Sequence, residues 1–454
     1  MFKQKIAKYI CAATLIFSVP SFGATQTLND SLRNAYQNSG LLVQNRALLR
    51  VADEEVALKV AALRPIIDWS AGYNHSASSN AETNALSAKL SASWLLYDFG
   101  KSNFDIDQVK EIVLATRQSL VTHEQNVLLR AVKAHMEYCS AIEFVNLRSA
   151  NVELIDQELR AAQDRFEVGE VTRTDVALAE ARLASARAGF ASAEGDLAKA
   201  AAEFIAAIGQ TPVNPVTPTG SPDLPDDVTS AIALAYLNHP SLKKIQHEIS
   251  AAELVLKKAK LSNRFTVTGR AGLEDTNTTS SPTRSVSINI GGPVYGGGAN
   301  ASVSRSAIAK RDAKRSELHV ASKKIDQEVR KAFVLLDVAR ASGEATDRQI
   351  EAASVAFRGV REEAALGART TLDVLNAEQE LLDARVTRIS TSIDEQIAAY
   401  TILASMGKLT AVSLELGVKT YDPTEYYNLV KTAPIAKSKQ GKALDRVLKG
   451  LVGN

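Results

Sequence analysis

The chain contains four short segments in which apolar and polar residues alternate with the period of a β-strand. In the first segment the apolar positions are Ile67, Trp69, Ala71 and Tyr73. Similar alternation runs through residues 86–97, 264–274 and 284–295. Because successive side chains of a strand point to opposite faces, each segment has one apolar and one polar face. The pattern predicts strands at about 66–75, 86–97, 264–274 and 284–295.

Long segments without helix breakers follow each pair of strands. Residues 101–168 contain neither Gly nor Pro, and apolar residues recur there at steps of seven. These positions are Ile106, Val113, Leu120, Val127, Ala134 and Ala141. Seven-residue spacing is typical of a coiled coil, and a helix of this length would run roughly 100 Å. We predict long helices at about 100–168 and 299–366, with return helices at about 172–208 and 370–406.

The chain repeats itself. The stretch VGEVTRTDVALAEARLASAR at 168–187 matches LGARTTLDVLNAEQELLDAR at 366–385 at nine of twenty positions, an offset of 198. This indicates a tandem duplication, residues 25–210 and 226–409, in which each copy has a helix, two strands, a long helix and a return helix. Residues 211–225 are rich in Pro and predict an extended linker, and residues 410–454 form a C-terminal tail whose basic end we expect to be disordered.

The repeated stretch has the features of a sharp turn between two antiparallel helices. Each copy contains a helix-ending glycine, a capping threonine and an aspartate three residues later. These are Gly169, Thr172 and Asp175 in the first copy and Gly367, Thr370 and Asp373 in the second. Helix capping alone accounts for these aspartates, and a binding role for them stays open from the residues.

Composition and charge indicate where the protein acts and which partners it lacks. Residues 1–24 have a basic start, an apolar run and small residues before Ala24, which predicts a secretory signal peptide. Without Lys3, Lys5 and Lys8 the 53 basic residues become 50, against 51 acidic residues, so no basic field indicates a nucleic-acid partner. After removal of the signal, Cys139 is the only thiol, and stability must come from packing rather than from a disulfide.

The sequence offers no constellation for catalysis. The six histidines include no HExxH pair, and no GK[ST] follows the glycines at 291–298. We therefore predict no catalytic, metal-binding or cofactor-binding residues. A secreted enzyme is a further class of function, but we find no residue in the sequence to propose as catalytic.

Strands of about ten residues have the length that a tilted strand needs to cross a bilayer. Trp69, Tyr73 and Trp94 then become candidates for the aromatic belt at the membrane interface. Four strands cannot close a barrel, and open edges are not tolerated in lipid, so several chains must complete one wall. The alternative is a soluble amphipathic sheet packed on the helices, in a periplasmic coiled-coil adaptor or scaffold protein.

The signal, the duplicated plan and the motifs VGEVTRTDV and LGARTTLDVLNAEQELLDA resemble the TolC family of outer-membrane efflux and secretion ducts. The resemblance implies a mainly α fold with membrane β: a homotrimer with a 12-stranded outer-membrane β-barrel continued by a long periplasmic α-barrel. It implies an exit duct that works with a periplasmic adaptor and an inner-membrane ABC or proton-driven transporter of a Gram-negative bacterium. The tail stretch YDPxxYY at 421–427 resembles tails of members that serve protein secretion.

The resemblance also implies roles for residues near the hairpins. Asp175 and Arg369 correspond to polar links between coils that hold the periplasmic tip closed, and Asp373 faces the narrowed lumen. Asn376 stands where some members have a second acidic residue, which weakens the expectation of a doubly acidic, cation-attracting constriction. Ala364 stands where some members have a tyrosine, so the resemblance implies a less tightly linked closed state. The turns at Gly169 and Gly367, with Thr172 and Thr370, are the expected adaptor-docking site.

Overall fold

The computed structural model describes residues 25–78, 81–218, 220–278 and 281–452. The predicted signal peptide lies outside these residues. The first repeat contains α1 (Leu28–Asn38), α2 (Gly40–Ala61), β1 (Ile66–Ser78), β2 (Ala81–Tyr97), α3 (Lys101–Glu167) and α4 (Arg173–Ile208). The second contains α5 (Val228–Asn238), α6 (Pro240–Lys260), β3 (Thr266–Thr276), β4 (Thr283–Gly291), α7 (Ala299–Ala365) and α8 (Thr371–Ser405). The tail contains α9 (Pro423–Val430) and α10 (Lys439–Val452).

The single helix expected before each strand pair is two helices. Ser39 is extended, with φ −69° and ψ 110°, and its hydroxyl accepts a hydrogen bond from the Leu42 amide. In the second repeat Pro240 occupies the first turn of α6, where its missing N–H costs no intrahelical bond. A side-chain cap and a proline therefore start a new helix where we had expected one to continue.

The four strands form one antiparallel sheet in the order β1-β2-β3-β4. β2 begins at Ala81, earlier than the expected residue 86, and β4 ends at Gly291, earlier than 295. Pro293 has no N–H to donate to a ladder, so the alternation around Val294 and Tyr295 does not continue the strand.

The helices form the core. The long helix of each repeat packs against its return helix, α3 against α4 and α7 against α8. α3 runs without interruption for 67 residues, which is roughly 100 Å. Of its seven-residue positions, Ile106, Val113, Val127, Ala134 and Ala141 are buried. Among the described residues, no helix is both long enough and apolar enough to cross a membrane.

The linker and the tail both lie against the helices. Gln26 exchanges backbone hydrogen bonds with the linker, to Asn214 (3.2 Å) and from Val216 (3.1 Å). The expectation of a disordered basic tail is wrong for its described residues. Tyr426 of α9 donates a hydrogen bond to Glu54 of α2 (2.6 Å), and Leu444 and Leu448 of α10 pack on the apolar cluster around it.

Candidate transport path: a two-faced sheet and two helical hairpins

One face of the sheet is apolar across all four strands. Cross-strand partners place residues of like character in rows. One row is Ile67, Ala92, Ala271 and Val286, and the next is Trp94, Gly269 and Ile288. Gly269 makes room for an aromatic ring, because a Cβ there would come within 2.6 Å of the Trp94 indole. The alternating apolar residues of the four strands thus form one continuous apolar surface.

The opposite face is polar and carries charge. Lys89 of β2 and Glu274 of β3 are paired across the strands, with Nζ and Oε2 3.4 Å apart. Arg270 lies between Ser93 and Ser287 on the same face, four residues from Glu274 along β3. Both groups of the ion pair are about half exposed, so this face is suited to contact with water.

No helix of the described chain covers the apolar face. The exposed fractions are 79% for Trp69, 83% for Val286 and 67% for Ile288. A sheet packed on its own helices would bury these side chains. The alternative of a soluble, helix-covered sheet is therefore wrong, and this face requires an apolar environment that a single chain in water does not supply.

Aromatic rings gather where the sheet meets the helices, a feature that sequence reasoning missed. Phe99 lies between Tyr97 and Phe265, with ring centroids 4.8 Å apart in each pair. The Arg264 guanidinium lies 5.5 Å from the Phe99 centroid, within cation–π range. The closely spaced Tyr97 and Phe99 before a glycine were the available signal, but their contact with Phe265 comes from the other repeat.

At the far ends of the long helices lie two hairpins with the same construction. Gly169 has φ +83° and Gly367 has φ +77°, the left-handed conformation that ends a helix with little strain for glycine. The Thr172 hydroxyl donates to Asp175 Oδ2 (2.7 Å) and accepts from the Asp175 amide (3.3 Å). The Thr370 and Asp373 pair repeats both bonds, at 2.8 and 3.3 Å.

The caps also fix the charge of the two aspartates. The hydrogen bond from the Thr172 hydroxyl lowers the pKa of Asp175 below its ordinary value. For Asp373 the backbone hydrogen bond from Thr370 lowers the pKa most, and the Arg369 charge contributes. Both carboxylates are therefore ionised at neutral pH, and both residues are partly exposed on their hairpins.

The other two tip residues have partners within this chain. The Arg369 Nε lies 2.8 Å from Glu363 Oε2, and both side chains are about half exposed. Asn376 Oδ1 accepts a hydrogen bond from Arg182 (3.1 Å), which joins α8 to α4. In the described chain Asp175 and Arg369 are each bonded within their own hairpin, so the polar links between coils stay a prediction about neighbouring subunits. Ala364 is buried in the apolar contact between α7 and α8.

A buried carboxyl group above the tips escaped sequence reasoning. Glu378 of α8 is 6% exposed and accepts a hydrogen bond from Asn151 of α3. Burial raises the pKa of Glu378 to about 7. Glu180 occupies the same position of the first repeat and is exposed. A repeat alignment cannot distinguish the two glutamates, because the difference comes from which helices pack over each one.

Two apolar side chains project from the hairpin ends. Val168 and Leu366, each directly before the turn glycine, are 71% and 86% exposed. Each turn also contains a charged residue close by, Glu170 or Arg369. Because both repeats expose an apolar side chain at the same position, these two residues are candidates for contact with a protein partner. In the part of the chain that the structure describes, no three His, Cys, Asp or Glu side chains converge on a metal-binding arrangement.

Comparison with known proteins identifies the family. The family model described as "Outer membrane efflux protein" matches residues 31–210 and 231–408, one match in each repeat. Outer membrane efflux protein BepC of Brucella suis is 31% identical over 440 residues, covering 94% of this chain and 96% of that protein. Alkaline protease secretion protein AprF of Pseudomonas aeruginosa is 25% identical over 332 residues, 69% of each chain.

The fold has solved counterparts. The Campylobacter jejuni CmeC outer membrane channel has a TM-score of 0.76 to this chain at 16% identity, covering 90% of both. The family model matches both repeats, and the sheet and the two hairpins are therefore parts of the fold of an outer membrane channel. The chain belongs to the outer membrane efflux protein family, the TolC family that its hairpin motifs predicted, and is an outer-membrane exit channel that extends into the periplasm.

Proposed function

We propose that three copies of this chain form the channel by joining β1 of one subunit to β4 of the next. The observation that carries the proposal is the sheet, which among the described residues has one uncovered apolar face and two unpaired edges. Unpaired backbone groups are costly in lipid, so the edges must meet other edges. Eight strands from two chains would fill their interior with side chains, whereas twelve leave a lumen. The TolC-like architecture supports the same number.

In this arrangement the two faces of the sheet have different environments. The apolar face, with Trp69, Tyr73 and Trp94, contacts outer-membrane lipid, and the aromatic side chains lie near its interfaces. The polar face, with Lys89, Glu274 and Arg270, lines a water-filled bore. Cargo thus crosses the membrane without contacting lipid. The chain supplies the passage and no catalysis, and the energy comes from the inner-membrane transporter.

The hairpins form the periplasmic end of the passage. Asp175, Arg369, Asp373 and Asn376 belong to the gate, where polar contacts between subunits hold the coils together. The turns at Gly169 and Gly367, with their capping threonines Thr172 and Thr370, present Val168 and Leu366 to a periplasmic adaptor protein. The adaptor joins the channel to an ABC or proton-driven transporter.

The class of cargo, protein or small molecule, depends on which inner-membrane transporter the channel joins. The relative AprF is named for protease secretion and BepC for efflux. The tail motif from Tyr421 to Tyr427 favours secretion of protein cargo by this chain.

Reconstitution tests the proposal. The purified full-length protein in a planar lipid bilayer should give discrete, long-lived conductance steps, and the protein in cells should fractionate with the outer membrane. Recovery in the soluble periplasmic extract with no conductance would contradict closure of the sheet into a channel wall.

Adaptor docking has its own test. Replacing Val168 and Leu366 by Asp should abolish co-purification of crosslinked adaptor while leaving the conductance steps in place. Val412→Asp is the matched control, because Val412 is 70% exposed but lies beyond α8, away from the hairpins. Unchanged adaptor recovery with the double variant would place docking elsewhere.

A further inference from the structure

The turn between α9 and α10 is held against the junction of helix and sheet. The Arg64 guanidinium donates to the carbonyl oxygens of Ala433 (2.6 Å) and Thr432. Arg64 lies between the end of α2 and the first residue of β1, Ile66. The tail turn, residues 431–438, is therefore fixed beside the point where the chain enters the sheet.

This position corresponds to the membrane surface, given the orientation proposed above. Trp69 lies three residues into β1, which is about 10 Å along the strand from Ile66. Each headgroup layer of a bilayer is about 5–7 Å thick. With the indole of Trp69 near the periplasmic interface, the turn lies at the level of the headgroups or directly below them.

From this turn α10 runs back toward the middle of the molecule. Val447 and Gly450 line a groove of about 360 Å³ together with Arg46 and Arg50 of α2. These α2 residues precede Arg64 by more than three helical turns. The first turn of α10, which contains Lys439 and Lys442, is thus its membrane-proximal end.

The tail is strongly basic, and its basic side chains form no salt bridge with the described part of the chain. Residues 431–454 contain six basic residues and one acidic residue, Asp445, a net charge of +5. In α10 the basic side chains share one exposed face, opposite Leu444 and Leu448, which pack on α9. These basic residues are Lys439, Lys442, Arg446 and Lys449. Within the described residues none of them, nor Lys437, forms a salt bridge, whereas basic residues of the long helices commonly do.

The turn also presents an apolar side chain. Ile435 is 69% exposed and lies between Pro434 and Ala436, with Lys437 two residues later. An exposed aliphatic residue flanked by lysines is typical of a segment that dips into the interfacial region of an anionic membrane. Most of this side chain therefore faces solvent in the described structure.

We propose that the tail turn binds anionic phospholipid of the periplasmic leaflet. Ile435 inserts at the headgroup level, and Lys437, Lys439 and Lys442 contact the phosphodiester groups. Three subunits would place three such contacts around the channel. Arg446 and Lys449 lie roughly 10 and 15 Å along the helix from Lys439, beyond the roughly 8 Å over which salt screens exposed charges, and contribute little.

A fluorescent probe at the turn tests this proposal. A probe is attached at Ile435→Cys in the full-length protein carrying Cys139→Ala, and the protein is placed in lipid nanodiscs with headgroup spin-labelled lipid. We expect quenching to be stronger in phosphatidylglycerol discs than in phosphatidylcholine discs, and the difference to fall with salt. Lys439→Gln with Lys442→Gln should abolish the difference, whereas Arg446→Gln with Lys449→Gln should keep it.

Each other result overturns the proposal. Equal quenching in the two lipids would mean that the turn does not recognise the headgroup charge. Equal loss with both charge pairs would mean that the whole basic face senses the lipid charge, and would overturn the assignment of the contact to the turn. Quenching of the two tryptophans, Trp69 and Trp94, reports separately on the sheet. If they are quenched and the probe is not, the sheet is in the membrane and only the lipid contact fails.

Discussion

Glu378 makes the contact between the coils sensitive to pH. Its carboxyl group is packed between α8 and α3, with Arg148, Arg182 and Asp383 as the charged groups around it. The folded pKa is about 7 and the ordinary value is 4.5, so the unfolded group releases its proton first. Stability is therefore lost as the pH rises from about 4.5 to about 7, and that loss is complete above the folded pKa.

Glu378→Gln should remove this dependence. The amide keeps an oxygen for Asn151 and carries no charge, so at about pH 8 the helices near the tip should open less, by up to about 3 kcal/mol. Hydrogen exchange of residues 366–385 at about pH 5 and pH 8 measures the difference. The control is Glu180→Gln, the exposed repeat equivalent, which should change nothing. Faster exchange of the Glu378→Gln protein at high pH would contradict the prediction.

Variants of Arg369 and of its partner Glu363 distinguish a contact within one hairpin from a contact between subunits. Arg369→Ser should raise the leak conductance of the reconstituted channel, because the resemblance to the family makes Arg369 a link between coils. Glu363→Gln removes its partner within the hairpin and should leave the leak unchanged. An equal rise with both variants would mean that the local pair holds the tip, and no rise with Arg369→Ser would remove Arg369 from the gate.

At the scale of the elements, the same substitution should have opposite effects at two glycines of one segment. Gly367 has φ +77°, so Gly367→Ala strains the turn and should destabilise the hairpin by about 1 kcal/mol. Gly359 lies inside α7 with open space at its Cβ, and Gly359→Ala should stabilise that helix by up to about 1 kcal/mol. Hydrogen exchange of the end of α7 measures both, and a stabilising Gly367→Ala would refute a left-handed turn.

Elements with a strong internal pattern could be predicted from the sequence, and contacts between distant segments could not. The seven-residue spacing from Ile106 to Ala141 already indicated a long buried helix, and Gly367 with Thr370 already indicated its turn. The break at Ser39 had a capping signal that was overlooked. The packing of α10 depends on Tyr426 and on Ala57 of α2, nearly four hundred residues away in the chain, and no local pattern records it.

For the transport path, too, local patterns could be predicted from the sequence and contacts between distant segments could not. Alternation identified the apolar face around Trp69 and Val286, since one-sided burial leaves a period of two. The partner of Asn376, Arg182, did not follow from its position, because the contact depends on how α4 and α8 pack.

At the scale of the whole molecule, closure of the sheet predicts contacts that one chain cannot make. Within a subunit, β1 and β4 are separated by β2 and β3, which places them roughly 14 Å apart. A cysteine at Ser70, combined in turn with one at Ser285, Ser287 or Asn289 in the Cys139→Ala protein, should therefore crosslink only between subunits. At least one pair should give covalent trimers on a denaturing gel. Exclusively monomeric product from all three pairs would contradict closure by these edges.

The two long helices have the same length, 67 residues each, and each begins after a left-handed glycine, Gly100 or Gly298. Duplication could have left one copy longer, but the offset of 198 holds from the first residue of α3 to its last. In the proposed trimer the six long helices end at one level, so the proposed adaptor contact lies at the same height in both repeats. An insertion in only one of the two helices would place the two hairpins at different heights. Equal hairpin heights therefore require that any change in length occurs in both repeats.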